Sequence, residues 1–391
     1  MKKILISIIS FLLLVQSSCQ PKPEIVGLGI DSQYSIERMK LLVLHPQYES
    51  QAYRWTQLDV NGSDSLISSQ RDLYFCTATP GDYTVRLQLI DSLNPYVHEV
   101  HIRVWEEEVA YSPYISEVYE FCPAPGQFVN KMPAYEDGDS EETMLQKVRE
   151  CIVGTQNTLI SLGSYGGYVT FGFDHCLINM PGKLDFAIYG NAYYDTSLDR
   201  LGGSSEPGIV MVAMDVNGNG IPDDPWYELA GSEYNNENTT HRYEVVYYRQ
   251  DTLSTDTMRH KGVLWKDSKG QYGYLQQNAY HSQNYFPSWI DSDTLLYQGT
   301  RLPDNAEDYY GDGSRWILYA YDWGYVDAHP NNKLDKISFD INWAVDENGK
   351  RVYLPGIHFV RVYTGVLQVC GWLGETSTEL SKAVDLNLLE E

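Results

Sequence analysis

The feature that most constrains the fold is a recurrence of short apolar and aromatic runs, each closed by Gly, Asn, Asp or Pro. Runs of about four to eight such residues make strands, because side chains alternate faces and turn residues reverse the chain. Residues 41–44, 53–56, 73–75, 83–89 and 98–104 read as one set, with turns at Asn61-Gly62, Pro80-Gly81-Asp82 and Asn94-Pro95. Residues 159–162, 168–171, 184–189, 209–214, 243–248, 316–319, 336–343 and 358–363 read as a second. Only residues 136–152 carry a helical period: Asp139 or Ser140 caps it, Glu141 and Glu142 favour its positive end, and Met144, Leu145, Val148 and Ile152 form a stripe. The chain is therefore expected to be all-β. An immunoglobulin-like sandwich over residues 25–106 is followed by a linker, 107–135. A larger jelly-roll-like β-sandwich over 136–391 then carries one short helix and long aromatic loops.

The first residues are read separately. Lys2 and Lys3 precede an apolar run over 4–15 and then Ser17-Ser18-Cys19. That run is too short to span a bilayer, which takes about 20 residues, and reads as a signal peptide over 1–18. A cysteine after two small residues resembles a bacterial lipobox, so Cys19 is expected to be lipidated and residues 19–24 to tether the folded part. About 370 residues remain, enough for two domains. With 53 acidic against 28 basic residues and no basic run, nucleic acid is excluded as a partner class. Cys76, Cys122, Cys151, Cys176 and Cys370 are scattered without a CxxC pair, which is neither a disulfide framework nor a zinc site. At least one is a buried thiol, and a single disulfide stays open.

One loop has metal-ligand spacing. Asp215, Asn217, Asn219 and Asp223 place side-chain oxygens where a calcium loop has its positions 1, 3, 5 and 9, with Gly220 at the sharp turn and the Ile221 carbonyl at position 7. Trp226 stands where a bidentate Glu is usual, and Glu228 lies two residues beyond. The loop reads as a structural Ca2+ site, with an Asn/Gly-rich turn as the alternative.

Catalytic signals are weak. Asp174-His175, Glu206, His281, Asp322, Asp327 and His329 are polar residues in distinctive contexts, with Asp174-His175 read as structural and His329 as solvated. No nucleophile elbow, zinc-binding helix, phosphate loop or dinucleotide fingerprint occurs, so the chain is read as a binding protein rather than an enzyme. The 32 tyrosines and nine tryptophans point the same way, because many sit in loops where flat rings bind ligands at low entropic cost. Trp226, Tyr227, Tyr285, Trp289, Trp323 and Tyr325 are the expected ligand-binding residues. Sugars and large planar ligands both use such platforms.

Several longer motifs resemble one family. They include residues 123–130 (PAPGQFVN), 161–167 (SLGSYGG), 172–175 (GFDH), 205–210 (SEPGIV), 226–234 (WYELAGSEY), 343–349 (WAVDENG) and 374–379 (GETSTE). With the Tyr-x-Trp and Gly-x-Tyr-x-Val-x-Leu strands of the first part, they are similar to the PKD-domain cell-surface lipoproteins of gut Bacteroidota. Some of these accompany cobalamin-uptake transporters and bind cobalamin. The resemblance implies an outer-membrane, lipid-anchored, cell-surface protein that binds a corrinoid and delivers it to a TonB-dependent transporter. A glycan-binding surface lipoprotein is the alternative, and a glycan-active hydrolase the third reading.

Overall fold

The computed structural model describes residues 27–59, 63–91 and 96–389. The expected signal peptide, Cys19 and the expected Asn61-Gly62 and Asn94-Pro95 turns lie outside them. Both parts are built of strands, so the all-β sandwich class expected from the runs is the class observed.

In the first part five strands run in the order Gln33–Glu37, Tyr96–Trp105, Gly81–Leu89, Tyr53–Leu58, Asp64–Ser68. A two-stranded sheet, Leu42–Leu44 with Leu73–Phe75, packs across them. Strict alternation does the work: Val100, Ile102 and Val104 turn inward while His101 and Arg103 stay outside. Trp55 fills the centre, fully buried, and its indole N–H donates to the Arg71 carbonyl at 3.1 Å. It is a core residue, as a Trp in that strand position should be.

The larger part is organised on one six-stranded antiparallel sheet, ordered Ala344–Val345, Trp226–Leu229, Gly208–Ala213, Gly356–Thr364, Tyr168–Ile178, Glu117–Cys122. Its last strand falls inside the stretch read as a linker. The register there is set by pairing with Tyr168–Ile178, not by any local turn signal. One face carries Val169, Phe171, Val210, Val212, Val360 and Val362 into an aliphatic core. The helix Glu141–Ile152 lies over that core, burying Met144, Val148 and Ile152, and the Ser140 hydroxyl accepts from the Thr143 N–H at 3.2 Å. Two further α-helical segments among the described residues, Thr257–Lys261 and Leu386–Leu389, are a turn or so long and bury nothing.

The opposite face meets a four-stranded sheet, Tyr272–Leu275, Val263–Asp267, Thr240–Tyr248, Thr294–Arg301. Between them lies a second core built largely of tyrosines, among them Tyr165, Tyr243, Tyr247, Tyr297 and Tyr363. The cover is incomplete, and where it stops a cleft opens. The two parts touch directly: Arg38 pairs with Glu107 at 2.5 Å, and the Cys176 N–H donates to the Met39 carbonyl at 3.0 Å. The five described cysteines are free thiols, Cys176 and Cys370 among them buried.

Candidate ligand-binding cleft

The cleft floor is a register effect. Glu120, Thr170, Arg361, Met211, Glu228 and Val345 are successive cross-strand partners, so one row of side chains crosses all six strands on a single face. Tyr168 and Trp226 flank this row. The walls come from Leu296, Gln298 and Thr300 of the neighbouring sheet, from Tyr234, His241 and Arg242, and from the turn at residues 346–349. The space enclosed is about 900 Å³.

Arg361 organises the floor. Its Nη2 donates to Glu120 Oε2 at 2.5 Å and its Nε to the Thr170 hydroxyl at 2.9 Å, while that hydroxyl donates to Glu120 at 2.7 Å. The guanidinium then lies 4.5 Å from the Tyr168 ring centroid and 4.4 Å from that of Trp226. A planar cation between two rings, anchored by a carboxylate, fixes both rings before any ligand arrives. Beyond Met211, Glu228 accepts from the Thr300 hydroxyl at 2.7 Å, and desolvation pushes its carboxyl up to about 7.

Of the six aromatics expected to bind ligand, only Trp226 lines this cleft. Strand alternation sends Tyr227 to the other face, into a separate groove of about 690 Å³ between the two parts, with Tyr74 and Tyr353. Tyr285, Trp289 and Tyr325 are core residues, exposed by 0, 7 and 2 % respectively. The Tyr285 hydroxyl accepts from Asn278 N–H and that of Tyr325 from Glu233 N–H, so both pin loops to the interior. Trp323 packs on Trp343, centroids 4.6 Å apart. An aromatic beside Gly or Asn has the same local sequence whether it anchors a loop or faces solvent. Tyr168, Glu228, Tyr234, His241 and Arg361 were not among the expected residues. Two carried a signal: Arg361 within Val-Arg-Val and Glu228 within Tyr-Glu-Leu are charges in the middle of apolar strands.

The 215–224 loop is the turn of the hairpin that brings Trp226 opposite Ala213. Asp215 accepts from the N–H groups of Asn219 and Gly220, both at 3.0 Å, and Asn219 Oδ1 accepts from Ile221 N–H at 2.7 Å. Gly218 and Gly220 sit at φ +70° and +71°, where a side chain would be strained. The amide nitrogens of Asn217 and Asn219 point at Asp223, at 3.1 and 3.0 Å. A cation here requires both amides to rotate and present oxygen.

No protein-family model matches the chain, and among curated proteins none matches. Solved structures give distant matches. A SusE-like protein aligns over 90% of this chain and 95% of its own at 8% identity, with a TM-score of 0.26. A structure titled for the promiscuous specificity of carbohydrate-binding modules from the β-sandwich superfamily aligns over 90% and 92% at 10% identity, TM-score 0.16. Likeness at that level carries no functional argument.

Several of the polar residues in distinctive contexts turn inward. His175 is buried with Nδ1 2.8 Å from Asp174 and Nε2 2.8 Å from Asp385, an arrangement that staples a strand rather than faces a substrate. His329 is buried, not solvated: it is 1 % exposed, Tyr194 Oη is 2.5 Å from its Nδ1, and desolvation lowers its pKa. His281 packs edge-on to Phe128, and Asp322 is exposed beside Lys336. Glu206, Asp327 and Glu379 bring oxygens within 4.8 Å of one another. An all-oxygen set is what a hard cation takes; without one, the carboxyls keep protons. Desolvation, and then mutual repulsion, hold Glu206 and Asp327 well above the carboxylate range, while desolvation alone leads for Glu375, at about 8, and Glu379, at about 7. A carboxyl raised on folding stabilises at low pH, and that contribution fades as pH rises from about 4.5 through its folded value. Thermal melts should therefore show stability falling between pH 5 and 8.5. Glu379→Gln, which keeps the acceptor for Ser161 and Ser377, should gain on wild type across that window by on the order of 1–3 kcal/mol. Parallel curves would show Glu379 already ionised.

Proposed function

We propose that the protein is a lipid-anchored, cell-surface carbohydrate-binding protein whose ligand lies on Trp226. The observation that carries this is the partly exposed indole clamped by Arg361 at 4.4 Å on the floor of an open cleft. A sugar ring offers an apolar C–H face to such a ring and hydroxyls to the polar groups around it, here Gln298, Asn348, Asp346 and Glu228. One indole beside a charged guanidinium suits a pyranose better than a corrin macrocycle, which would cover several such rings. The cleft does hold one hydroxyl within reach of an imidazole, Thr300 Oγ1 at 3.1 Å from His241 Nδ1, so turnover is measured alongside binding.

Titration against a glycan panel and cyanocobalamin tests this. Saturable glycan binding is expected, and Trp226→Ala should weaken it at least tenfold, about 1.4 kcal/mol. Tight cyanocobalamin binding with no glycan affinity would reinstate the corrinoid, and glycan turnover would make the protein an enzyme. The anchor belongs to the same proposal. Cys19→Ala should shift the protein from the membrane fraction to the soluble one, because several acyl chains, not one, give stable attachment; unchanged retention argues against it. The 215–223 loop is proposed to take structural calcium through Asp215, Asn217, Asn219, Asp223 and the Ile221 carbonyl. An ion bound only by the folded state adds about 2.7 kcal/mol at 100 times its dissociation constant. Chelator should then lower the melting temperature and Asp215→Ala abolish that response. Identical melts with calcium and with chelator would leave a turn.

A further inference from the structure

Glu228, Thr300 and His241 form a hydrogen-bonded chain along one wall of the cleft, and its protons can be counted. Thr300 Oγ1 lies 2.7 Å from Glu228 Oε2 and 3.1 Å from His241 Nδ1. His241 Nε2 lies 3.1 Å from the Tyr234 carbonyl oxygen, which only accepts, so Nε2 carries a proton. The Thr300 hydroxyl has one proton to give. If His241 is neutral, its Nδ1 accepts that proton and Glu228 must donate to Oγ1 as a carboxylic acid. If Glu228 is instead ionised and accepts from Thr300, Nδ1 must donate and His241 is an imidazolium. In either arrangement both bonds are made only when the chain holds one proton more than a carboxylate and a neutral imidazole would together. The protonated chain is electrically neutral; the deprotonated chain carries one negative charge and loses a bond.

We propose that the cleft takes up a proton with its ligand, stored on the Glu228–Thr300–His241 chain, so that binding strengthens as pH falls. The argument rests on the cleft being the ligand site. A ligand seated on Trp226 covers the opening between Met211 and Val345 where Glu228 meets solvent. Sealing a neutral chain there costs less than sealing an anion. Glu228, already held near 7 by desolvation, is the member placed to titrate in the neutral range.

The surrounding charges do not supply the missing cation. From the Gly356–Thr364 strand, Arg361 is committed to Glu120 at 2.5 Å. From the Thr240–Tyr248 strand, Arg242 donates to the Glu347 carbonyl at 2.9 Å. Asp346 and Glu347 on the turn add negative charge, and from the Thr294–Arg301 strand Arg301 bonds Asp304 at 3.1 Å. The phenols facing the site, Tyr168, Tyr234, Tyr297 and Tyr363, are all raised by desolvation and stay protonated.

The test has two arms. Without ligand, wild type and Glu228→Gln are melted between pH 5 and 8.5. The amide mimics the neutral acid, so the variant should gain in melting temperature relative to wild type as pH rises. A difference independent of pH overturns the proposal. With ligand, cellohexaose, maltohexaose, xylohexaose, mannohexaose and cyanocobalamin are titrated calorimetrically in phosphate and in Tris, whose ionisation heats differ. Wild type should take up close to one proton and lose affinity toward tenfold per pH unit above its titration. Glu228→Gln should take up none and bind with flat pH dependence. Equal proton uptake in wild type and Glu228→Gln overturns the proposal while leaving the cleft reading intact. Binding that survives Trp226→Ala, or no binding of any sugar, sinks the cleft reading instead, and the ligand-free melts still decide whether the chain holds its proton.

Discussion

The six-stranded sheet is buried on both faces, and the alternation of its strands is the constraint from which the rest follows. In Gly356–Thr364, Val360 and Val362 enter the aliphatic core while Phe359, Arg361 and Tyr363 face the other way. A one-residue slip would exchange these sets, putting a guanidinium among valines, so the register is held by burial on both sides. A charge in such a strand survives only with a partner in reach. Thr170 supplies it from the adjacent strand and Glu120 from the strand beyond, and the same pairing that satisfies Arg361 aims its flat face at Trp226. The flat surface at Trp226 is thus a by-product of solving a burial problem.

The aromatic content has a second explanation once the tyrosine core is seen. Tyr247 donates to the Tyr165 carbonyl at 3.0 Å, Tyr297 to that of Pro123 at 2.9 Å, and Tyr321 to that of Pro303. Each buries a ring and satisfies a loop carbonyl that would otherwise lose water without replacement. Long loops can then lie over a sheet without a strand ladder of their own. Richness in tyrosine measures how much irregular backbone must be pinned, and only a minority of the rings are left to meet a ligand.

That distinction marks how far the sequence could be read. Local signals placed the strands well: Leu73–Phe75 and Trp316–Tyr319 fall on the expected residues, and the helix stripe Met144, Val148, Ile152 is buried as its period requires. Strands whose only reason is a partner were silent, as with Glu117–Cys122 and the two-residue Ala344–Val345. The site suffered the same loss. Trp226 stood out beside a Pro-rich loop, but the row Glu120 to Val345 exists only after six segments align. Tyr285 and Trp289 looked like platforms, and what decides their burial is what they meet in the fold, the Asn278 N–H for Tyr285 and the Phe121 and Tyr135 rings for Trp289, which sequence does not name.

The acids complete the picture. A chain with net charge −25 keeps most carboxylates in water, yet Glu375, Glu379 and Asp327 are buried, and the half-buried Glu206 lies against two of them. Burial without a cation favours the neutral acid, so the fold separates carboxylates in water from carboxyls held above the usual carboxylate range. Glu228 belongs to the interior group by environment, with one hydroxyl partner and aliphatic neighbours, but sits where the sheet's cover ends. It is therefore the point at which the protonation preference of the interior reaches a surface. A ligand that extends the interior over that point inherits the preference, and for that reason its binding and a proton cannot be independent.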